Sequence, residues 1–272
     1  MVKSYFAKSL EEALEIRGRE SVIPYAGGTD LMIEADDQAS YLFLNKVPEL
    51  KEIKADAEYI RIGAASTYAE ILQSQLIPQI LKDAVIEIAA PAIRNLGTAG
   101  GNICNGSAKG DSVLIFFAAD AKLRLVTSKG ERILPIKDFY LGRKKLALQK
   151  DELLVEILLK KTGLDHYYYK KIGARNALAI SRVSFAGLLD MKDGKIINCA
   201  TAFGAVSDVV IRRPDIDEML AGKTTDEAKT VKDAYLEAFD EAIVPIRGRV
   251  SAEYRKSVCM NLLRDFLESN GI

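Results

Sequence analysis

The segment Ala26-Gly27-Gly28-Thr29-Asp30-Leu31 decides how this chain is interpreted. It directly follows residues 21–25, a run with the composition of a short buried strand. A second glycine pair lies within residues 94–106, Arg-Asn-Leu-Gly-Thr-Ala-Gly-Gly-Asn-Ile-Cys-Asn-Gly. Consecutive glycines permit positive φ and let the backbone approach a ligand closely. Successive N–H groups can then form a concavity for the oxygens of a pyrophosphate. The two segments together predict a phosphate site built from backbone.

Neither glycine segment matches a standard nucleotide-binding motif. The patterns G-x-x-x-x-G-K-[ST] and G-x-G-x-x-G do not fit them, which disfavours a typical nucleoside-triphosphate or NAD site. Thr29, Thr98, Asn102 and Ser107 could add neutral hydrogen bonds. The alternative is that both pairs are only turns, because glycine pairs are common in loops. The second segment is long and polar for a simple hairpin, which favours a ligand.

The composition excludes several classes of protein. The chain has 272 residues, with 38 Lys+Arg against 38 Asp+Glu and 49% hydrophobic residues, as in ordinary globular proteins. The balanced charge argues against nucleic acid as a partner. No apolar run is long enough to cross a membrane, and the first ten residues lack the apolar core of a signal peptide. We therefore expect a cytoplasmic protein.

Three cysteines and one histidine restrict the metal chemistry. Cys104, Cys199 and Cys259 lie far apart, and a [2Fe–2S] cluster held by four thiolates cannot be built from three. A structural zinc site would need nearly every soft ligand to converge, so we expect no metal site. If the chain is an enzyme, an organic cofactor should carry its redox chemistry.

Hydrophobic periodicity and capping motifs predict an α+β chain with two domains, 1–162 and 163–272. In the first domain, the pattern predicts strands at 21–25, 41–45, 59–63, 122–126, 132–135 and 153–159, and helices at 10–17, 67–73, 78–90 and 113–119. Residues 160–165 are polar and mark the boundary. Beyond them, the pattern predicts strands at 167–170, 183–190 and 196–204, and then helices at 215–220, 225–239 and 251–269.

The glycine segments belong to a longer pattern that resembles a known family. The segment 26–31, the pattern Arg-Asn-x-Gly-Thr-x-Gly-Gly-Asn-Ile-x-Asn-Gly and the following Asp111 are similar to the FAD-binding subunit of the molybdenum hydroxylases. That family includes the medium subunits of bacterial xanthine dehydrogenase and carbon monoxide dehydrogenase. The resemblance continues through residues 118–123, 151–154 and 245–255, in order along nearly the whole chain.

Two departures from the family pattern are visible. The family often has an acidic residue where Arg247 stands, which affects the ion pairing expected at the start of the last helix. The cysteine-bearing insertion of the benzoyl-CoA-type reductase branch is missing from the first domain. The resemblance therefore implies no iron–sulfur cluster in this chain.

The resemblance implies a fold and a set of cofactor residues. The first domain would be of the vanillyl-alcohol-oxidase type, with two subdomains split near residue 54, and the second a three-stranded antiparallel sheet with a helical bundle. The residues that would surround the pyrophosphate are Ala26, Gly27, Gly28, Thr29, Asp30 and Leu31 on one side, and Thr98, Gly100, Gly101 and Asn102 on the other.

Three further residues match family positions near FAD. Asp111 would accept hydrogen bonds from the adenosine ribose or from neighbouring backbone, although it could also cap the helix that follows it. Leu153 and Lys170 match positions near the flavin ring. A cation at Lys170, close to the pyrimidine edge, would stabilise negative charge at N1–C2=O and raise the potential of the flavin.

The implied function is electron transfer within a complex. A molybdenum-cofactor subunit would hydroxylate the substrate, and a [2Fe–2S] subunit would pass the electrons to FAD in this chain. An external acceptor, with NAD⁺ the expected one, would then receive them, and no catalytic residue is implied here. The alternatives are a stand-alone flavin reductase of the same fold superfamily, or a non-enzymatic module that has lost FAD. Cys104 is interpreted as a packing residue and Arg175 as a surface contact.

Overall fold

The structure, a computed structural model, describes residues 3–175, 178–246 and 248–272, so the predicted effect of Arg247 lies outside the described residues. Within these residues the strands are β1 (Ser4–Phe6), β2 (Ile23–Tyr25), β3 (Tyr41–Phe43), β4 (Ile53–Ala55), β5 (Tyr59–Gly63), β6 (Lys122–Thr127), β7 (Gly130–Pro135), β8 (Tyr140–Gly142), β9 (Lys145–Leu146), β10 (Leu153–Lys160), β11 (Tyr167–Ile172), β12 (Val183–Lys192), β13 (Lys195–Gly204) and β14 (Ile211–Arg212). The α-helices are α1 (Leu10–Arg19), α2 (Tyr68–Gln73), α3 (Gln79–Ile86), α4 (Pro91–Arg94), α5 (Ala99–Cys104), α6 (Asp111–Ala118), α7 (Ile136–Phe139), α8 (Pro214–Asp217), α9 (Thr225–Ala242) and α10 (Ala252–Ser269). Short 3₁₀ turns lie at Leu31–Glu34, Pro48–Leu50 and Glu218–Leu220.

The chain forms two compact units that are interleaved in sequence. The first unit consists of Met1–Ile77, Ile88–Gly106 and Asp120–Lys161, and the second of Pro78–Glu87, Ser107–Ala119 and Thr162–Ile272. The last change of unit, after Lys161, lies within the polar segment 160–165 that was predicted as a boundary. Helices α3 and α6, although early in the sequence, belong to the second unit. The division into domains 1–162 and 163–272 stays a prediction.

The first unit contains two larger sheets. One is parallel, with strand order β1-β3-β2, and the other is antiparallel, with order β4-β5-β10-β6-β7. Helix α1 packs against β3 and β6. The core between these elements is aliphatic, with Leu42, Val47 and Leu50 almost fully buried. Strand β10 is buried from Leu153 to Leu159 and confirms the strand predicted over these residues.

The predicted helix starts are confirmed by their caps. The Ser9 hydroxyl accepts from the Glu12 amide at 3.2 Å and begins α1. Thr67 and Thr224 form complete capping boxes, in which the hydroxyl accepts from the amide three residues later and that residue's glutamate accepts from the threonine amide. Each arrangement satisfies backbone donors that a helix start leaves free.

The second unit is an antiparallel sheet with order β11-β12-β13-β14 and helices against it. The three predicted strands are present, and the two-residue strand β14 extends the sheet. Strand β12 alternates between two surroundings: a Cβ at Gly187 would meet the Phe266 ring of α10, whereas Ser184 lies beside Gly204, close to Leu114 of α6. Because strand residues alternate between faces, α10 and α6 cover opposite faces of the sheet.

A buried carboxylate joins three elements of the second unit. Asp217 is 1% exposed and accepts from the Thr201 amide at 2.9 Å, the Thr201 hydroxyl at 2.8 Å and the Tyr235 hydroxyl at 2.7 Å. It also pairs with the Arg212 guanidinium. Burial raises the pKa of Asp217 to about 6, against the lowering effect of Arg212 and the hydrogen bonds. The network ties β13 and β14 to α9.

Two predicted element boundaries were wrong. The helix predicted over 78–90 ends at Ile86, and Ala89 has a positive φ of 45°, which a helix does not contain. The second glycine segment, where the pattern predicted no helix, forms helix α5 at its centre. Over the described residues, no helix is both long and apolar enough to cross a membrane. The same residues contain no group of three or more His, Cys, Asp or Glu that could hold a metal ion.

Candidate functional site

The first glycine segment leaves the parallel sheet at the carboxyl end of β2. The amides of Ala26, Gly27, Gly28, Thr29 and Asp30 donate to no acceptor among the described residues. Ala26–Thr29 are half-buried and Asp30 is exposed, so the amides lie at the surface rather than inside a packed core. Gly28 has φ = 70°, a conformation that side chains disfavour. Free amides in succession, with a left-handed residue among them, are an arrangement that can bind an anion, and the predicted phosphate contact stays a prediction.

The two glycine segments lie side by side in the first unit. A Cβ built on Gly27 would stand 1.9 Å from the Leu96 carbonyl oxygen, so any side chain there would collide with the second segment. Gly97 approaches the first segment in return, because its Cβ position is 3.5 Å from the Thr29 hydroxyl. Segments 73 residues apart in sequence, Gly27 to Gly100, are thus brought into one place.

The second segment differs from the prediction in what it offers a ligand. Thr98 caps helix α5, and its hydroxyl accepts from the Gly101 amide at 3.1 Å. The Gly100 amide donates to the Ala64 carbonyl at 2.8 Å, and a Cβ at Gly100 would lie 2.6 Å from Ala64. These two amides are therefore occupied inside the protein. Gly101 is exposed in this segment, and Asn102 is half-buried.

A diphosphate fits the first segment on these observations. Five free amides can supply the donors that the oxygens of two phosphates need, without a lysine or arginine. Gly101 adds an exposed surface, where a Cβ would stand 2.8 Å from the Thr98 hydroxyl. The residues present are thus compatible with the diphosphate of a dinucleotide.

Asp111 lies in the second unit and is the first residue of α6. Its carboxylate is 6% exposed; Oδ2 accepts from Lys171 Nζ at 2.7 Å and Oδ1 from the Ser181 hydroxyl at 2.6 Å. The N-cap position belongs to Gly110, so the alternative reading of Asp111 as the cap is wrong by one residue. Burial raises the pKa of Asp111, while Lys171 and Ser181 lower it. Its predicted contact with the ribose stays a prediction.

The two residues predicted beside the flavin have different surroundings. Leu153 is 2% exposed and packs in the aliphatic core of the first unit, so its side chain offers a ligand little surface. Lys170, in the second unit, is exposed on β11. Its neighbour Lys171 points to the opposite face and is held by Asp111. Both predicted flavin contacts stay predictions.

Sequence reasoning missed Lys171 and Ser181, the partners of Asp111. On a strand, Lys171 must lie on the same face as Tyr169, but the sequence does not show which face of that strand meets a carboxylate.

Cys104 is half-buried, and burial raises the pKa of its thiol to about 12, which fits a packing residue. The Arg175 guanidinium donates to the Leu178 carbonyl, at 3.2 Å from Nε and 2.6 Å from Nη2.

Comparison with known proteins specifies the class to which this fold and site belong. The family model described as "FAD binding domain in molybdopterin dehydrogenase" matches residues 1–159. The model described as "CO dehydrogenase flavoprotein C-terminal domain" matches residues 167–270. The chain belongs to this family of oxidoreductase subunits, and FAD is its cofactor. The resemblance drawn from the glycine segments is confirmed.

Individual relatives agree with the family assignment. The chain is 32% identical to the xanthine dehydrogenase FAD-binding subunit of Escherichia coli O157:H7, over 69% of this chain and 68% of the relative. It is 30% identical to the nicotinate dehydrogenase FAD-subunit of Eubacterium barkeri, over 80% and 79%. The crystal structure of a Cu,Mo-CO dehydrogenase in its cyanide-inactivated form contains a chain with a TM-score of 0.89 and 25% identity, covering 98% of this chain and 96% of that one.

Proposed function

We propose that this chain is the electron-transfer subunit of a molybdenum hydroxylase complex. It would accept electrons from the [2Fe–2S] clusters of one partner chain, while a second partner with the molybdenum cofactor acts on the substrate. The electrons would leave to an external acceptor, NAD⁺. The single observation that carries this proposal is the run of five free amides beside the second glycine segment, in a chain of this family.

The residue inventory supports the need for partners. Three cysteines cannot supply the four thiolates of a [2Fe–2S] cluster. Bound FAD supplies a redox carrier that can exchange electrons with one-electron centres and with a hydride acceptor. The chain itself would bind and orient the cofactor.

The proposed cofactor residues are those predicted from the sequence. The amides of residues 26–31 would hold the diphosphate, with Thr98, Gly100, Gly101 and Asn102 closing the opposite side. Asp111 would serve the ribose, and Leu153 and Lys170 the flavin ring. The fold of the vanillyl-alcohol-oxidase type with a subdomain division near residue 54, the domain boundary at 162/163 and the cytoplasmic location are part of the same proposal.

The first experiment measures the cofactor. The full chain is expressed alone, purified, and its FAD content per chain is determined from flavin absorbance, with and without added FAD. We expect one FAD per chain. A colourless protein that binds no added FAD would contradict the proposal and favour a module that has lost its cofactor.

The second experiment tests electron transfer and partners. The complex is purified from its native source through a tag on this chain, and the co-purifying chains are identified by mass. We expect a molybdenum-containing chain and a [2Fe–2S] chain, and reduction of FAD when the substrate of the complex is added. FAD reduction by a soluble substrate with this chain alone would instead indicate a stand-alone reductase.

A further inference from the structure

A small cavity in the second unit has three arginines in its wall. Its volume is about 220 Å³, and it lies where residues 174–182, between β11 and β12, approach Arg249. The other two arginines are Arg175 and Arg182, and none of the described residues that line the cavity is acidic. We call it the arginine cavity.

Two of these arginines have no partner among the residues that the structure describes. Arg182 is half-buried and Arg249 is exposed, and neither guanidinium donates a hydrogen bond or forms an ion pair there. Arg175 differs, because its guanidinium donates to the Leu178 carbonyl of its own loop. The wall of the cavity therefore carries two positive charges that this part of the chain does not balance.

The acidic group bonded to the neighbour of Arg182 is already balanced by a lysine. Ser181 donates to the Asp111 carboxylate at 2.6 Å, and the same carboxylate accepts from Lys171 Nζ at 2.7 Å. Asp111 and Lys171 are both buried at this contact, so they form a closed ion pair. The Asp111 charge is thus compensated by Lys171 rather than by Arg182.

A fourth arginine adds positive charge beside the segment that carries Arg249. Arg255 on α10 is 3% exposed, and its Nη2 lies 2.5 Å from the position of a Cβ on Gly248, the residue before Arg249. Its Nη1 donates to the Ala205 carbonyl at 2.9 Å, but its buried Nε has no hydrogen-bond partner. In the sequence, Arg247 stands where the family often has an acidic residue. A buried charge without a counter-charge is poorly screened, so it raises the positive potential around it.

We propose that the arginine cavity binds a phosphate monoester, a phosphate group carried by a small organic molecule. This site is separate from the function proposed above, because it uses none of the residues assigned to FAD. The planar fork of a guanidinium matches the oxygens of a phosphate in both geometry and charge. A phosphate monoester carries about −1.5 to −2 charges at pH 7, which balance Arg182 and Arg249, whereas a carboxylate carries only one.

The rest of the wall favours an organic phosphate over inorganic phosphate. Leu178 and Ile180 line the cavity and are 55% and 62% exposed. An apolar group on the ligand would remove these side chains from water, which is favourable. The volume of about 220 Å³ is below the roughly 300 Å³ at which sites for drug-sized ligands begin, so the ligand is small and a whole dinucleotide does not fit.

The test measures the Kd values of phenyl phosphate, inorganic phosphate and benzoate for the full chain by titration calorimetry. Each titration is run with and without saturating FAD, because a phosphate could also bind the free amides of residues 26–30 when FAD is absent. Arg182→Gln and Arg249→Gln each remove one guanidinium from the cavity. Arg264→Gln is the matched control, at an exposed arginine of the same unit that donates to Asn261. Thermal unfolding of each variant confirms that it is folded.

We expect wild type to bind phenyl phosphate more tightly than inorganic phosphate or benzoate, with or without FAD. Arg182→Gln and Arg249→Gln should each raise the Kd of phenyl phosphate at least about tenfold, as for the loss of a hydrogen bond to a charged group. Arg264→Gln should bind as wild type does. Absence of binding to folded wild type at millimolar phenyl phosphate would overturn the proposal, and so would unchanged affinity in both cavity variants. Tighter binding of benzoate than of phenyl phosphate would overturn the assignment to a phosphate.

Discussion

Replacing Gly101 by leucine should give a folded protein that no longer retains FAD. Gly101 is exposed in the first turn of α5, and a Cβ there meets only the Thr98 hydroxyl, at 2.8 Å. A hydroxyl can rotate away, so the fold can accept the new side chain. Gly27 cannot be changed in this way, because its Cβ would stand 1.9 Å from a backbone oxygen. A substitution at Gly101 therefore tests FAD binding without disrupting the fold.

The expected magnitudes follow from these contacts. Replacing a helical glycine by leucine gains up to about 1 kcal/mol of helix propensity. Disturbing the Thr98 cap costs about 1 kcal/mol, so the free energy of unfolding should hardly change. Gly27→Ala, in contrast, should lose about 3 kcal/mol or more through overpacking against backbone. A leucine in the space of the diphosphate should raise the Kd of FAD at least about tenfold, which corresponds to about 1.4 kcal/mol.

The assay measures FAD per chain in the purified variants, together with thermal unfolding of the apo forms. Gly101→Ala should fall between wild type and Gly101→Leu. Gly130→Leu is the matched control, because a Cβ at Gly130 meets nothing within 4 Å and should leave FAD bound. If Gly101→Leu is folded and keeps one FAD per chain, the second glycine segment does not border the cofactor.

Four further predictions use groups of both units. Lys171→Gln should destabilise the protein by about 3–5 kcal/mol in urea unfolding, because it leaves the buried Asp111 carboxylate without its cation. Lys170→Gln should not change stability but should lower the flavin potential of the FAD-loaded protein, and an unchanged potential in a redox titration would remove Lys170 from the ring site. Burial raises the pKa of Asp217 from 3.8 to about 6, so the stability from this group is present below pH 4 and is lost as the pH rises through 6. Measured against Asp217→Asn from pH 4 to 7, wild type should lose up to about 3 kcal/mol of relative stability, and a constant difference would contradict the raised pKa. With its pKa raised to about 12, the Cys104 thiol should resist iodoacetamide at pH 8 in the folded protein, and rapid labelling of that residue would show that it is not a packing residue.

Local signals predicted much of the fold. The threonine–glutamate pairs at Thr67 and Thr224 placed two helix starts, because capping depends on residues only three positions apart. The alternation of apolar and polar residues predicted β5 and β6, because this pattern also depends only on residues close in sequence. The interleaving of the units could not be predicted in this way. The apolar residues of α6 show that it is buried on all sides, but not which sheet covers it.

In the site too, features that depend on neighbouring residues could be predicted, and contacts between distant segments could not. The free amides after β2 could be expected from the first glycine segment alone, because no acceptor among the described residues bonds to them. The second segment was misjudged because two glycines have low helix propensity and favour a loop, whereas contacts with Ala64 and the Thr98 cap stabilise a helix. The close approach of Gly27 to Leu96 required knowledge of which segments meet.

The interleaving of the two units has a consequence for any attempt to divide this protein. A gene cut after Lys161 would give a carboxyl-terminal fragment lacking α3 and α6, and α6 covers one face of its sheet. That fragment would expose the apolar side of β12 and β13, and the amino-terminal fragment would carry two orphan helices. A cut at this junction would therefore separate residues that pack together within the second unit, and we expect neither fragment to fold as it does in the full chain.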